Sequence, residues 1–408
     1  MIDLLGFVSI LIVSFICLII GLRYPDIKKI IFVGLSVRII FLLINNYIIP
    51  LPDSDRDAIQ FELEAWQMAQ YGFLDVLSNY PGKTGYFSSW VMAIFYSLVG
   101  RSILMAQSIS LFFGMGTIFL GWLLAKRTWD NHAAIKVAWT IALFPSLILY
   151  SVLFLREVYI YFFLLIALIG TVNWIKVGNF KSIILAISGF FVATLFHGAM
   201  VVGAIIFLII VVFDTLKIFL KFIRLYRVKL TNIIIIFLST TCLVLYFSGE
   251  IKIPKIGTFE NSIDLNFIKK QISGRIDGNS SYPKWTEINS FYEFIYKGPI
   301  RILYFIFSPF PWDIKNLNHL IGFFDSILYM GIVFLVIKNL KIIWKDPCLR
   351  IILLILVGYI TVFGLIIGNF GTSLRHRSKF VVGLIILIAP FIPKISILKK
   401  NKKTNKLS

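Results

Sequence analysis

Most of this chain is written in unbroken apolar runs of about twenty residues, the length that carries a helix across the hydrocarbon core of a bilayer. Stretches such as "IFLGWLLA" at 118–125 and "FFLLIALIG" at 162–170 are apolar on every face and lack the alternation of a membrane β-barrel. In lipid every backbone polar group must be satisfied within the segment, so helices are what such runs can form. The composition agrees, with 59% hydrophobic and only 15% charged residues. Candidate spans fall at 4–22, 30–49, 103–125, 133–152, 158–175, 182–197, 199–214, 231–248, 318–337, 350–369 and 379–396. Two shorter apolar pieces, 87–100 and 298–312, suit re-entrant or interfacial segments. The expected fold is an all-α polytopic transmembrane bundle of about 11–13 helices with a helical first outer loop.

A formal net charge of +20 would suggest nucleic acid in a soluble protein, but here the basic residues sit in short loops and in the tail "KKNKKTNK". Membrane lipids, not nucleic acid, are the partners this implies. The basic loops are Arg23 with Lys28 and Lys29, Lys126 with Arg127 and Lys136, Lys176 with Lys181, 217–229, and 338–350. Letting the two short pieces stay on one side puts all of these and the tail on the cytoplasmic face. The expectation is one transmembrane domain over 1–400, with outer loops near 50–87 and 249–297, and a basic cytoplasmic tail at 397–408. The first apolar run lacks a basic leader and a small-residue cleavage site, so it reads as a retained helix in a multi-pass protein of the cell (inner or plasma) membrane. Cys17 and Cys242 fall within spans and Cys348 in a basic loop, a pattern that is neither a disulfide framework nor a zinc site. Arg38 falls inside the second span, where a cation ordinarily faces the protein interior.

The outer face collects the chemistry. "LPDSDRDAIQFELEAWQMAQYG" at 51–72 opens with Asp53, Asp55 and Asp57. Ser54 followed by Asp57 matches a helix capping box, which explains two of the acids but not the group, since adjacent carboxylates repel unless a cation, proton or metal joins them. Asp57, Phe61 and Ala65 share one helical face, which would hold the carboxylate over a hydrophobic stripe lying along the membrane surface. Arg156 and Glu157 stand at a turn between spans, either as an interfacial ion pair or as a phosphate-binding arginine with Glu157 orienting a neighbour. His197 marks either a simple hairpin tip or a substrate contact. "GTSLRHRSKF" at 371–380 puts Arg375, His376, Arg377 and Lys379 at the outer end of the last span, against the positive-inside trend, and anion binding is the economical reason. In the long outer loop, Tyr282 and Trp285 are the aromatic candidates for packing against a sugar.

An acid, a cationic cluster and a greasy surround on one face suit transfer of a sugar from a polyprenyl-phosphate carrier. Such a donor leaves as a stabilised anion, so one general base and fixed cations suffice. The order of helix, "DSDRDAIQFELEAWQMAQYG", "YFSSWVMAIFYSLVGRSILMAQSISLFFG", basic turn and "LFPSLILYSVLFLREVYIYFFLLIAL" resembles the N-terminal half of the GT-C glycosyltransferases, over about residues 30–180. The nearest likeness is to bacterial relatives of the protein O-mannosyltransferases and the lipid A aminoarabinose transferases. The resemblance implies that Asp57 is the catalytic base, with Asp55 beside it, and that a glycan or lipid-linked acceptor receives the sugar. The chain departs from that pattern in having an extra first helix, no second acid directly after Asp57 and no large soluble C-terminal domain. A divalent metal is left open, Asp53 and Asp55 forming a D-x-D-like pair. Repeat-unit polymerases of O-antigen and capsule pathways are similar in their long outer loops and outer arginines. A non-enzymatic flippase for lipid-linked oligosaccharides would instead want charges through many spans, which apart from Arg38 read as nearly charge-free.

Overall fold

The computed structural model describes residues 3–80, 82, 85–222, 248, 280–288 and 290–393. The expected span at 231–248, most of the long outer loop and the basic tail lie outside the described residues. The chain is an all-α multi-pass membrane protein. Among the described residues six helices are long and apolar enough to cross a membrane, and a bent pair makes a seventh.

Helix α1 (Leu4–Arg23) descends from the end of the bundle that bears Asp3, and α2 (Lys28–Tyr47) returns to it. Three short helices then lie at that end: α3 (Asp57–Ala69), α4 (Phe73–Ser78) and α5 (Phe87–Val99). Helix α6 (Ile103–Thr128) descends again, and the pair α7 (Asn131–Leu143) and α8 (Pro145–Val152) climbs back with a 57° bend between them. Helices α9 (Glu157–Val177), α10 (Phe180–Phe196) and α11 (Val201–Phe222) continue the alternation. After the undescribed stretch come α12 (Phe291–Phe307), α13 (Leu317–Lys338), α14 (Leu340–Lys345), α15 (Pro347–Ile366) and α16 (Phe370–Leu387). These helix directions gather Arg23, Lys126, Arg127, Lys176, Lys338 and Arg350 at one end of the bundle and the acidic loop at the other, the sorting expected from the loop charges.

The bend between α7 and α8 follows from Pro145, which cannot donate to the helix ladder and frees carbonyls before it. In a membrane those carbonyls need partners. Arg38 supplies them: its Nη1 donates to Ala142 O at 2.8 Å and its Nη2 to Ile141 O at 3.3 Å, with the residue 1% exposed. The mid-span cation is thus the cap of a broken helix. Helices α9 and α10 meet through glycines, a Cβ on Gly170 running into the Ala186 backbone and one on Gly189 into Ala167, the close approach that small residues permit between helices in lipid.

Helix α12 enters from the acidic end and stops inside the bundle. Arg301 donates through Nε to Leu365 O and through Nη2 to Ile367 O, near the outer end of α15. The carbonyls of Ile306 and Ser308 reach Arg377, two turns into α16. The chain then returns to the same face, where His319 Nε2 lies 3.3 Å from Ser280 Oγ. Of the two courses its short apolar length allowed, re-entrant or interfacial, the contacts with α15 and α16 fit the re-entrant one.

Two expectations are corrected. The last span does not start at 379: α16 begins at Phe370, capped by Asn369, whose side chain accepts from the amides of Gly371 and Thr372, so "RHRSK" lies within the helix. The basic residues are helical because acids elsewhere in the bundle neutralise them. Nor does the Phe61–Ala65 stripe lie along a membrane surface. Phe61 is 6% exposed and Ala65 fully buried against α5, with Phe61 edge-on to Tyr86, while Ile59 and Leu63 point outward.

Candidate functional site

The loop from α2 to α3 folds over the acidic end with two non-glycine residues in left-handed conformations, Asp53 at φ 61° and Arg56 at φ 44°. Such residues cost on the order of 1–3 kcal/mol each and persist where surrounding structure overrides them. The capping box is not formed: Arg56 occupies the cap position without a side-chain bond, and Asp57 opens the helix. Its carboxylate goes elsewhere.

Asp57 Oδ2 accepts from Arg375 Nη1 at 2.5 Å, joining residues 318 positions apart. Arg375 Nε in turn lies 2.9 Å from Glu157 Oε1, which is fully buried, and Lys379 Nζ approaches the same oxygen at 3.6 Å. Lys379 also bonds His376, whose ring meets His197 edge-on at 5.1 Å. Arg156 lies over the Phe61 ring at 4.8 Å, with its guanidinium against Gly85, a residue at φ +110° that has no room for a Cβ. Both charged members of the Arg156–Glu157 turn therefore belong to this cluster. Asp57 and Glu157 thus face Arg375, Lys379 and Arg156, with Asp53, Asp55 and Arg56 beside them. Arg375 Nη2 is buried and makes no hydrogen bond, so a phosphate oxygen there would satisfy it.

A cleft of about 1000 Å³ opens onto this pair, its floor lined by Asp53, Asp55, Arg56, Asp57 and Arg375. The α7–α8 bend makes room for it, since Ser146, Leu149 and Tyr150 of α8 form one wall. Tyr150 donates to Asp53 Oδ2 at 2.9 Å. Walled in by protein on its inner side, the Asp53 carboxyl is pushed above the usual carboxylate range by loss of hydration, while Tyr150 and Arg375 pull the other way. Asp55 is exposed to the cleft. Among the described residues no three His, Cys, Asp or Glu side chains gather as a metal ion would need, and Asp53 is already engaged by Tyr150.

Other expected residues lie elsewhere. Arg377 is 1% exposed and faces away from Asp57, donating to Ile306 O at 2.8 Å, Ser308 O at 2.7 Å and Asp325 Oδ2 at 3.2 Å, with its guanidinium over Tyr329. It clamps the end of the re-entrant helix. Tyr282 is buried with Tyr304 and Phe370 and bonds Ser373. Trp285 is 57% exposed beside Tyr304, away from the cleft. His376 and His197 are buried behind Arg375 and do not line the cleft.

Among the cleft residues that escaped the sequence reading are Arg56, Tyr150, Asn318 and Asp325. Asp325 had a signal, an acid alone in the apolar run "LIGFFDSILYMG". No family model, curated protein or solved structure matches the chain.

Proposed function

We propose that the protein is an integral-membrane glycosyltransferase that moves a sugar from a polyprenyl-phosphate carrier to an acceptor hydroxyl at the acidic end of the bundle. The observation that carries this reading is the Asp57–Arg375 contact at the floor of a large cleft. At rest the pair is closed. An arriving phosphate takes the Nη groups of Arg375, which Glu157 holds from behind so that the guanidinium cannot follow Asp57 outward. Asp57, having lost its counterion, becomes the stronger base and accepts the proton of the acceptor hydroxyl. The acceptor oxygen bonds to the anomeric carbon as the bond from that carbon to the phosphate oxygen breaks. The carrier phosphate departs as an anion held by Arg375, with Arg156 and Lys379 adding positive potential behind it. Arg377, spent on carbonyls and Asp325, takes no part.

The test is to delete the gene, extract lipid-linked saccharides and cell-surface glycans, and complement with wild type or Asp57→Asn. Loss of one sugar from the glycan, with its lipid-linked donor accumulating and Asp57→Asn failing to restore it, is the expected result. Accumulation of single repeat units would favour polymerisation instead. Full complementation by Asp57→Asn would remove the base from the scheme and the scheme with it.

A further inference from the structure

Helix α3 carries Asp57 at its first position, and little besides the ion pair secures that end. Arg56, in the cap position, gives no side-chain bond. Phe61 and Glu62 apart, the residues that α3 buries are the alanines Ala58, Ala65 and Ala69. A methyl stripe packs closely but lacks the ridges whose interdigitation fixes a helix in rotation and register. The tether nearest the start of α3 is therefore the Asp57–Arg375 contact, and in the proposed reaction that tether opens.

A second tether lies about one and a half turns on. Glu62 is 4% exposed, and one guanidinium takes both of its oxygens, Arg101 Nε donating to Oε1 at 2.9 Å and Nη2 to Oε2 at 2.7 Å. Two parallel bonds fix orientation as well as distance. The Tyr96 hydroxyl lies 2.9 Å from Oε1, and the Arg101 guanidinium sits over Trp66 of α3 at 5.8 Å. Arg101 itself is firmly based. Its neighbour Ser102 caps α6, accepting from Met105 N at 3.0 Å and donating to Asp3 Oδ2 at 2.6 Å. Asp3 in turn caps α1, its Oδ1 accepting from Gly6 N at 2.9 Å. Glu62 thus ties α3, beyond its short neighbour α5, to the outer ends of two helices long enough to span the membrane.

We propose that Glu62 is a positioning residue for Asp57, keeping the start of α3 in register while the Asp57–Arg375 pair is open. The two tethers act in parallel. With the pair closed, either one seats α3; once Arg375 is turned over to a phosphate, the Arg101 fork alone keeps the Asp57 carboxylate at the floor of the cleft. That Asp57 then serves as the base rests on the transfer reading above. The parallel tethering rests on the contacts. An ion pair that served stability alone would loosen α3 whenever it was lost, whatever the state of Arg375.

The experiment places a spin-labelled unnatural residue at Ile59, an outward-facing position on α3, in the full chain in nanodiscs, and reads its mobility by EPR with and without inorganic phosphate. Wild type, Glu62→Gln, Asp57→Asn and the double variant are compared. Glutamine is isosteric, but its amide nitrogen meets an Arg101 donor and breaks the fork. The label should stay immobile in wild type and Asp57→Asn under both conditions. In Glu62→Gln it should become mobile only when phosphate is added, and in the double variant it should be mobile throughout. In a transfer assay Glu62→Gln should lower kcat by up to about 10²-fold, the scale of a small misplacement, with the donor KM unchanged. Should Glu62→Gln fail to fold, Arg101→Lys keeps the charge, loses the fork and decides in its place. A label already mobile in Glu62→Gln without phosphate, or immobile in the double variant, overturns the proposal. A double variant that is mobile beside a Glu62→Gln protein indifferent to phosphate would instead overturn the carrier reading and leave the tether standing.

Discussion

Replacing Glu157 with Gln and Asp57 with Asn neutralises two acids that share one guanidinium, and the structure predicts opposite consequences. Glu157 has a side chain 0% exposed, 2.9 Å from Arg375 Nε and 3.6 Å from Lys379 Nζ, which is also 0% exposed. Glutamine fills the space but leaves two cations together in dry protein. Unit charges 4 Å apart interact by about 4 kcal/mol at an effective dielectric of 20, and stranding one side of a buried pair costs about 3–5 kcal/mol. Asp57, in contrast, has a side chain 46% exposed, so water screens it, and Arg375 keeps Glu157 when it is lost. Asp57→Asn should therefore cost under about 1 kcal/mol. Unfolding of the purified protein in nanodiscs, followed by tryptophan fluorescence, should show a large loss for Glu157→Gln and almost none for Asp57→Asn. Adding Lys379→Met to Glu157→Gln removes one stranded cation and should recover much of the loss. In a transfer assay the sensitivity belongs to Asp57, whose substitution should lower turnover by about 10²–10⁴ with the fold intact. A Glu157→Gln protein as stable as wild type, or no recovery on adding Lys379→Met, would refute the dry ion pair. Equal instability of Asp57→Asn would refute the division between a structural and a working carboxylate.

Because protein crowding the inner side of Asp53 strips part of its hydration and raises its carboxyl above the unfolded value, although its outer side faces the cleft, its contribution to stability is full below about pH 4 and fades as pH rises through the raised value. Unfolding midpoints of wild type and Asp53→Asn should therefore diverge on acidification, wild type gaining relative to the variant; parallel profiles would contradict this. Arg38→Leu strips partners from the Ile141 and Ala142 carbonyls and should cost about 1–3 kcal/mol for each group left bare, read as a lowered unfolding midpoint. Gly85→Ala forces a side chain onto φ +110° and into the Arg156 guanidinium, so it should destabilise by about 1–3 kcal/mol and weaken phosphate binding; an unchanged phosphate affinity would detach Arg156 from the site. Trp285→Ala, at an exposed ring away from the cleft, should change stability by less than about 0.5 kcal/mol and leave acceptor kinetics untouched.

The sequence carried the helices because lipid imposes a length and an apolar face all round, and both survive in a linear string. It carried the joining of the acidic loop to Arg375 through charge sorting alone: once the basic loops were assigned to one face, the remaining charges had one place left. What it could not carry was partner choice. The Asp57, Phe61, Ala65 spacing is helical whichever surface covers it, and only the packing of α5 decides that the cover is protein. The start of α16 was misplaced because Arg375, Arg377 and Lys379 depress the apolar signal, and the acids that make a helix tolerable there lie far away in sequence. Tyr150 and Asn318 are ordinary residues until the α7–α8 bend opens a cleft between them.

The three cations of α16 show why a charge run is a poor guide to a site. At 100° per residue, Arg375 and Lys379 are four positions apart and share a face, whereas Arg377 between them points about 200° away from Arg375. One face therefore meets Glu157 and Asp57, the other meets Asp325 and the carbonyls that end the re-entrant helix. Five consecutive letters, "RHRSK", supply the cations of the Asp57–Glu157 cluster and an unrelated structural clamp. The same geometry removes the conflict with the positive-inside rule, which concerns cations in loops that water reaches during insertion. These cations are helical, face the bundle interior and are matched by acids on the α2–α3 loop side, α9 and α13.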